Sequence, residues 1–210
     1  NNVILASTSS IYGDTGNNFA TENKDELNEP PSIYAATKNF GETLIKNVLS
    51  EDEQKIKIGR FFTVYGPYGR PDMSILRFIH WILTDQEVII YGDGEQRRSF
   101  TYVTDIIDGL NRLKNYEESD TFNFGSDITW SLIEIINKIE SYLGKKANLV
   151  YKERAFRDVD VVLPNLSKSK EKLDWQPMID IDEGLKGTID WYEKNKNYLE
   201  NIKFKYSYEK

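Results

Sequence analysis

Cysteine is absent from the 210 residues. That removes disulfides, thiolate zinc sites and cysteine nucleophiles together, and it fits a reducing, cytoplasmic compartment. Histidine occurs once, as His80 within an apolar stretch, so neither a histidine metal centre nor a Ser-His-Asp arrangement has support, and no metal is expected. Long apolar runs are also missing. The most apolar segment, 75–83, is interrupted by Arg77 and His80 and falls far short of the roughly 20 residues that span a bilayer. Nor is there an excess of positive charge: 34 acidic side chains stand against 27 basic ones, a net charge of −7 with both signs interspersed. The electrostatic footprint of a nucleic-acid binder is therefore missing, and an anionic ligand would need a local basic pocket. With 39% hydrophobic and 29% charged residues, 13 Gly and 6 Pro, the composition is that of a soluble globular chain.

The alternation of elements points to an α/β layer fold. Val3-Ile4-Leu5-Ala6 is a short, wholly apolar run, followed by the hydroxyls of Ser7, Thr8, Ser9 and Ser10, as expected of a buried parallel strand that ends at a site. A polar loop over 13–31 leads to a helix over 33–49, with Ser32 as its cap and apolar residues at Ala36, Phe40, Leu44, Ile45 and Val48. Strands are expected at 56–64, 88–91, 99–103, 121–124 and 148–151, and helices at 75–83, 105–113, 131–143, 166–173 and 181–198. A doubly wound dinucleotide fold should open with a strand, a Gly-rich turn and a helix, but Gly13 and Gly16 lead into no helix at that spacing. The chain enters its first strand at once from Asn1-Asn2 and reads as a cut through a domain, with the phosphate-cradling half of the same protein missing.

The strongest local signal is Tyr34-Ala35-Ala36-Thr37-Lys38. Positions four apart share a helix face, so phenol and ammonium can address one ligand. A free phenol ionises near pH 10, and bringing that to about 7 takes roughly 4 kcal/mol of differential stabilisation. A neighbouring ammonium has the right sign to supply part of it. The Thr8 hydroxyl at the strand end could hold the same substrate oxygen during proton removal.

Four segments in this order, Ala6-Ser7-Thr8-Ser9-Ser10-Ile11-Tyr12-Gly13, Tyr34 to Lys38, Gly59-Arg60-Phe61-Phe62-Thr63-Val64-Tyr65-Gly66-Pro67, and Tyr91-Gly92-Asp93-Gly94-Glu95-Gln96-Arg97-Arg98-Ser99-Phe100-Thr101-Tyr102-Val103-Thr104-Asp105, resemble the extended short-chain dehydrogenase/reductase family, specifically its nucleotide-sugar epimerases and dehydratases. The resemblance covers nearly the whole chain to about Trp191. It implies an incomplete Rossmann-like doubly wound parallel sheet with a smaller α/β C-terminal substrate-binding domain. Residues 1–67 would form the end of the NAD-binding domain, with 101–130 returning to it. Residues 68–100 and 131–200 would mainly form the sugar-nucleotide domain, and 201–210 a tail.

By the same resemblance, Tyr34 would be the acid/base, Lys38 would bind the nicotinamide ribose, and Thr8 would assist at the sugar hydroxyl. Phe61 would line the nicotinamide pocket, with NAD as cofactor. Ser9 and Ser10 stand where dehydratases carry an Asp-Glu pair, so elimination of water is disfavoured and epimerisation preferred. The stretch Gly69-Arg70-Pro71-Asp72-Met73 is similar to UDP-glucuronate 4-epimerases, where the Arg meets the sugar carboxylate, a role suited to the guanidinium fork. Arg98 would bind the pyrophosphate and Tyr91 stack on the uracil. Thr63 falls where many relatives have Asn against the sugar diphosphate. Asp158 could reach the ribose, and either Arg154 or Arg157 could serve the phosphate.

The expected reaction is epimerisation at C4 of a UDP-sugar, UDP-glucuronate to UDP-galacturonate, through a transient 4-keto sugar. The alternatives are a noncatalytic nucleotide-sugar-binding or interaction domain, a UDP-glucose/galactose 4-epimerase, or a dehydratase relative. The family also implies a homodimer built on the helix over 33–49, and service in lipopolysaccharide or other surface-glycan synthesis.

Overall fold

The computed structural model describes residues 2–16, 18–23, 30–49, 54–154 and 161–204. In chain order the elements are β1 (Asn2–Thr8), a 3-10 turn (Ser9–Tyr12), β2 (Phe19–Ala20), α1 (Ile33–Val48), β3 (Lys55–Phe61), β4 (Thr63–Tyr65), α2 (Ser74–Leu83), β5 (Glu87–Tyr91), β6 (Arg97–Arg98) and β7 (Phe100–Tyr102). They continue as α3 (Val103–Asn115), β8 (Asp120–Phe124), β9 (Trp130–Ser131), α4 (Leu132–Leu143), β10 (Asn148–Lys152), β11 (Leu163–Pro164), α5 (Ser167–Leu173), α6 (Ile181–Lys194) and α7 (Lys196–Leu199). No helix among the described residues is long and apolar enough to cross a membrane.

The main sheet is parallel, in the order β1-β3-β8. Its register places Thr8 beside Phe61 and Phe61 beside Phe124, so all three strands finish at one edge. Ligand sites of open parallel sheets lie beyond that carboxyl edge. The expected strand over 56–64 is in fact two. The Phe62 amide donates to Phe124 O and the Thr63 amide to Ser99 O, and the chain there leaves the main sheet to pair β4 with β7. A period-2 apolar pattern carries no mark of such a change of partner.

Two apolar cores flank this crossing. One gathers Ile106, Leu113, Phe122, Phe124, Leu166, Leu173 and Trp175 on the sheet side. The other is built from α2, α4, α6 and the parallel pair β5 and β10, around Phe78, Ile79, Ile90, Ile135, Ile139 and Leu185. The α5 segment differs from its sequence-based placement. Leu166, Leu173 and Trp175 bury against β8 and α3 rather than in the second core, and Trp175 Nε1 donates to Asp105 O at 2.9 Å. The short pair β2 and β11, unmarked in the sequence, brings 163–164 back to the long loop.

Helix signals behaved as chemistry dictates at α4, where Ser131 and Glu134 form a reciprocal capping box and Gly144 closes the helix in the left-handed region at φ 62°. Helix α1 starts with the Ser32 hydroxyl accepting from the Ala35 amide. Most of its apolar stripe, however, does not face the sheet: Ile33, Phe40, Leu44 and Val48 are exposed, Phe40 by 65%, while Ile45 is half-buried. Only Ala35 and Glu42 of α1 are fully buried.

Close approach explains one glycine. A Cβ at Gly109 on α3 would lie 2.6 Å from the Phe124 ring and 3.0 Å from Trp175 Nε1, and those two rings are locked edge to face at 4.9 Å. Gly109→Ala gains about 1 kcal/mol of helix propensity but overpacks this contact, a cost of about 1–3 kcal/mol. The thermal midpoint is expected to fall by a few degrees in a melting experiment, and an unchanged or raised midpoint would show that the rings yield.

Candidate active site

The strand ends open into a cleft of about 810 Å3 between the two cores, a size typical of small-molecule sites. Thr8, Ser9, Ser10, Tyr34, Lys38, Phe61, Thr63, Arg70, Tyr91 and Arg98 all line it. Asp158 and Arg157 lie outside the described residues. Arg154 sits by the Gly92 turn, with its Cδ 3.8 Å from where a Gly92 Cβ would be. The chain is acidic overall, yet the cleft gathers Lys38, Arg70, Arg77 and Arg98 around a single carboxylate, Asp72. That is the local basic pocket an anionic ligand requires.

At the strand end, the Thr8 hydroxyl donates to Ser10 Oγ at 3.1 Å while accepting from the Ser10 amide at 3.2 Å. Thr8 thereby caps the 3-10 turn. Ser9 and Ser10 begin that turn, and no carboxylate of β1 or the turn faces the cleft. One turn of α1 separates Tyr34 from Lys38. Lys38 Nζ donates to Ala6 O at 3.0 Å and stands 5.9 Å from the Tyr34 ring centroid. The Tyr34 ring is half exposed, turned toward the cleft mouth.

Arg70 reaches the cleft from the loop after β4. Its Nε and Nη2 fork Asp72 at 3.0 and 2.5 Å, which raises its pKa, as do the Asp72 charge and the nearby Tyr34. Arg77 on α2 is buried and donates from Nη1 to Asp72 O at 2.8 Å, its guanidinium 4.9 Å from the Trp81 ring. Asp72 is thus held at both its side chain and its backbone. On the far wall, Gln96 Nε2 donates to Tyr91 O at 3.0 Å and Arg98 Nη1 to Arg97 O at 2.8 Å. Tyr91 ends β5, beside Lys152 of β10.

Sequence reasoning missed the polar network beneath the cleft. Arg60 on β3 is completely buried and Glu42 is 2% exposed. Arg60 Nε and Nη2 fork the Glu42 carboxylate at 3.0 and 2.7 Å, and Nη1 donates to the Tyr12 hydroxyl at 2.9 Å. Tyr12 passes its own proton to Asn123 Oδ1 at 2.7 Å, and Ser7 donates to Glu42. Burial pushes the Glu42 carboxyl up, but the Arg60 hydrogen bonds and charge, with Ser7, outweigh this and hold it below the ordinary range. Burial pushes the Tyr12 phenol up to about 12, so it is a neutral relay. The one sequence signal was spacing: Glu42 lies four residues beyond Lys38. Arg77 and Gln96 were missed as well, the former because it sits in an apolar helix.

The model of the GDP-mannose 4,6 dehydratase family matches residues 1–188. A UDP-glucuronate 4-epimerase of Thermodesulfobacterium geofontis is 41% identical over 202 residues, 96% of this chain and 62% of that protein. A UDP-glucuronic acid decarboxylase of Xenopus tropicalis is 28% identical over 96% of this chain and 49% of its own length. Among solved structures, UDP-glucuronic acid 4-epimerase from Bacillus cereus, in complex with UDP-glucuronic acid and NAD, superposes with a TM-score of 0.86 at 32% identity, covering 92% of this chain and 62% of that one. The chain therefore spans about three fifths of the length of the epimerases it matches.

The depressed carboxylates set a pH dependence. Glu42 is held down by Arg60. Asp120 is pushed up by burial but held down overall by Lys168, the Thr121 amide and Lys172. Both contribute stability above the unfolded carboxylate pKa of about 4, which is lost as pH falls through their lower folded values. The thermal midpoint should hold near neutrality and drop steeply below about pH 4, with a shallower drop in Asp120→Asn. Identical acid profiles would count against the pairing of Asp120.

Proposed function

The chain belongs to the family described by the GDP-mannose 4,6 dehydratase model, and on that premise we propose that it carries the acid–base and sugar-nucleotide portion of an NAD-dependent UDP-sugar 4-epimerase, with UDP-glucuronate as substrate and UDP-galacturonate as product. One observation carries the reading: a single basic cleft joins Tyr34, Lys38 and Thr8 at one end to Arg70 in the middle and Tyr91 with Arg98 on the far wall.

In this reading Tyr34 takes the proton of the sugar 4-hydroxyl and later returns one, while Thr8 holds the same oxygen. NAD, when bound, would supply the acceptor and then the donor of the C4 hydride. The residues fit the nicotinamide end of that cofactor. Lys38 is fixed at the strand end by one of its three N–H groups, leaving two for a ribose diol, and Phe61 lies beside Thr8 in the register of β1 and β3. Arg98 meets the diphosphate and Tyr91 the uracil. Arg70 spends its Nε edge on Asp72, leaving Nη1 for the substrate carboxylate. Ser9 and Ser10 offer no acid–base pair for expelling water, which favours epimerisation over dehydration.

The 210 residues contain no Gly-rich strand–turn–helix, which favours a second reading for this chain by itself: it binds the nucleotide sugar without turning it over. The outward apolar stripe of α1 supports self-association through that helix. Phe40→Glu on this stripe is expected to shift a sedimenting dimer to monomer, and an unchanged sedimentation coefficient would dismiss α1 as the interface.

Calorimetry with UDP, UDP-glucuronate and UDP-glucose tests the binding assignments. Arg70→Leu should weaken UDP-glucuronate at least tenfold and UDP-glucose little, and equal losses would refute carboxylate recognition. Where turnover is measured, Tyr34→Phe should cut it at least 100-fold with binding retained. The product should keep the substrate's mass, whereas loss of CO2 or water would identify a decarboxylase or dehydratase instead.

A further inference from the structure

Helix α1 meets the sheet through a ladder of polar contacts on successive turns. Lys38 bonds Ala6 O of β1, Glu42 forks Arg60 of β3, and Lys46 Nζ donates to Thr121 Oγ1 of β8 at 3.4 Å. Apolar packing on that face is sparse, since Ile33, Phe40, Leu44 and Val48 are exposed, Ile45 is only half-buried, and Ala35 is the only other fully buried residue. We propose that Glu42 and Arg60 are positioning residues whose buried, two-point pair fixes the rotation and axial placement of α1, and so sets Tyr34 and Lys38 against the end of β1. This rests on the roles given to Tyr34 and Lys38 above.

The geometry separates positioning from mere cohesion. Apolar contacts tolerate sliding and rotation, whereas a planar fork on a carboxylate has essentially one arrangement. Both partners are anchored a second time: Arg60 by the Tyr12 hydroxyl, itself held by Asn123, and Glu42 by Ser7. Ser7 directly precedes Thr8, so one carboxylate ties α1 to the residue before the strand-end hydroxyl. Tyr34, Lys38 and Glu42 are spaced by four, which makes a turn of α1 about Glu42 a displacement of both upstream groups. As cohesion the pair is replaceable, because apolar residues of similar volume often substitute for a buried ion pair without loss of stability.

The test uses the double variant Glu42→Leu with Arg60→Met. UDP and UDP-glucuronate affinities are measured by calorimetry, and their ratio gives the increment due to the sugar. The thermal midpoint is expected to hold or rise, UDP to bind as before, and the sugar increment to fall about tenfold, since misplacement by about 1 Å is costly at a positioned site. Glu42→Asp, which keeps the charge one methylene shorter, should recover part of the increment. A folded double variant with an unchanged increment overturns the proposal.

If the wild-type chain binds neither ligand, the reading of the cleft fails. Positioning is then read without ligand, from the Tyr34 Cζ resonance of 13C-tyrosine-labelled protein. This resonance should shift in the double variant, and an unmoved one overturns the proposal. Should the double variant not fold, Glu42→Gln and Glu42→Asp are compared by the same two measurements, with the same outcomes deciding.

Discussion

A guanidinium with no exposure to water is stable in a folded protein when each of its nitrogens is hydrogen-bonded and its charge is balanced. Arg60 meets both conditions in the middle strand of the parallel sheet, through Glu42 from the helix above and Tyr12 from the turn beyond β1. Three elements distant in sequence are therefore committed to one arrangement. The cleft inherits that arrangement: the β1 end supplies Thr8, the β3 end Phe61, and the helix Tyr34 and Lys38. Removing either member alone would strand a buried charge, so helix and sheet are interlocked rather than simply packed.

The opposite wall follows a different logic. Arg70, Arg77, Tyr91, Gln96 and Arg98 come from α2, the loops beside it and the short strands β5 and β6. Several of their polar groups are held by neighbouring backbone and by Asp72. The result is a cationic surface whose donors are pre-oriented, which lowers the ordering cost when an anionic ligand arrives. The acidic excess elsewhere in the chain keeps that positive potential local.

Much of this was legible in the sequence, for identifiable reasons. The Val3 to Ala6 run and the Tyr34–Lys38 spacing are local patterns, and they sit as strand, helix and shared cleft lining, but the expected burial of that run fails, since β1 is the edge strand of the three and Ile4 is exposed. The strand-end hydroxyls mark where backbone leaves the sheet. What escaped was non-local. Glu42 reads as an ordinary solvent-facing acid, and nothing near it announces a partner 18 residues on. The apolar residues of α1 mark a helix in the sequence, but periodicity reports a stripe without saying which way it points. The change of sheet at Phe62 and the return of 163–175 to the sheet side depend on contacts far along the chain, which no window of sequence contains.

The seam between the two apolar cores carries a thermodynamic consequence. One core is assembled on the β3–β8 side and the other around α2, α4 and α6, so each can lose order with its own cooperativity. Any molecule long enough to touch Tyr34 at one wall and Arg98 at the other acts as a rivet across them. Its binding free energy is shared by both units, so the order of one becomes coupled to the order of the other.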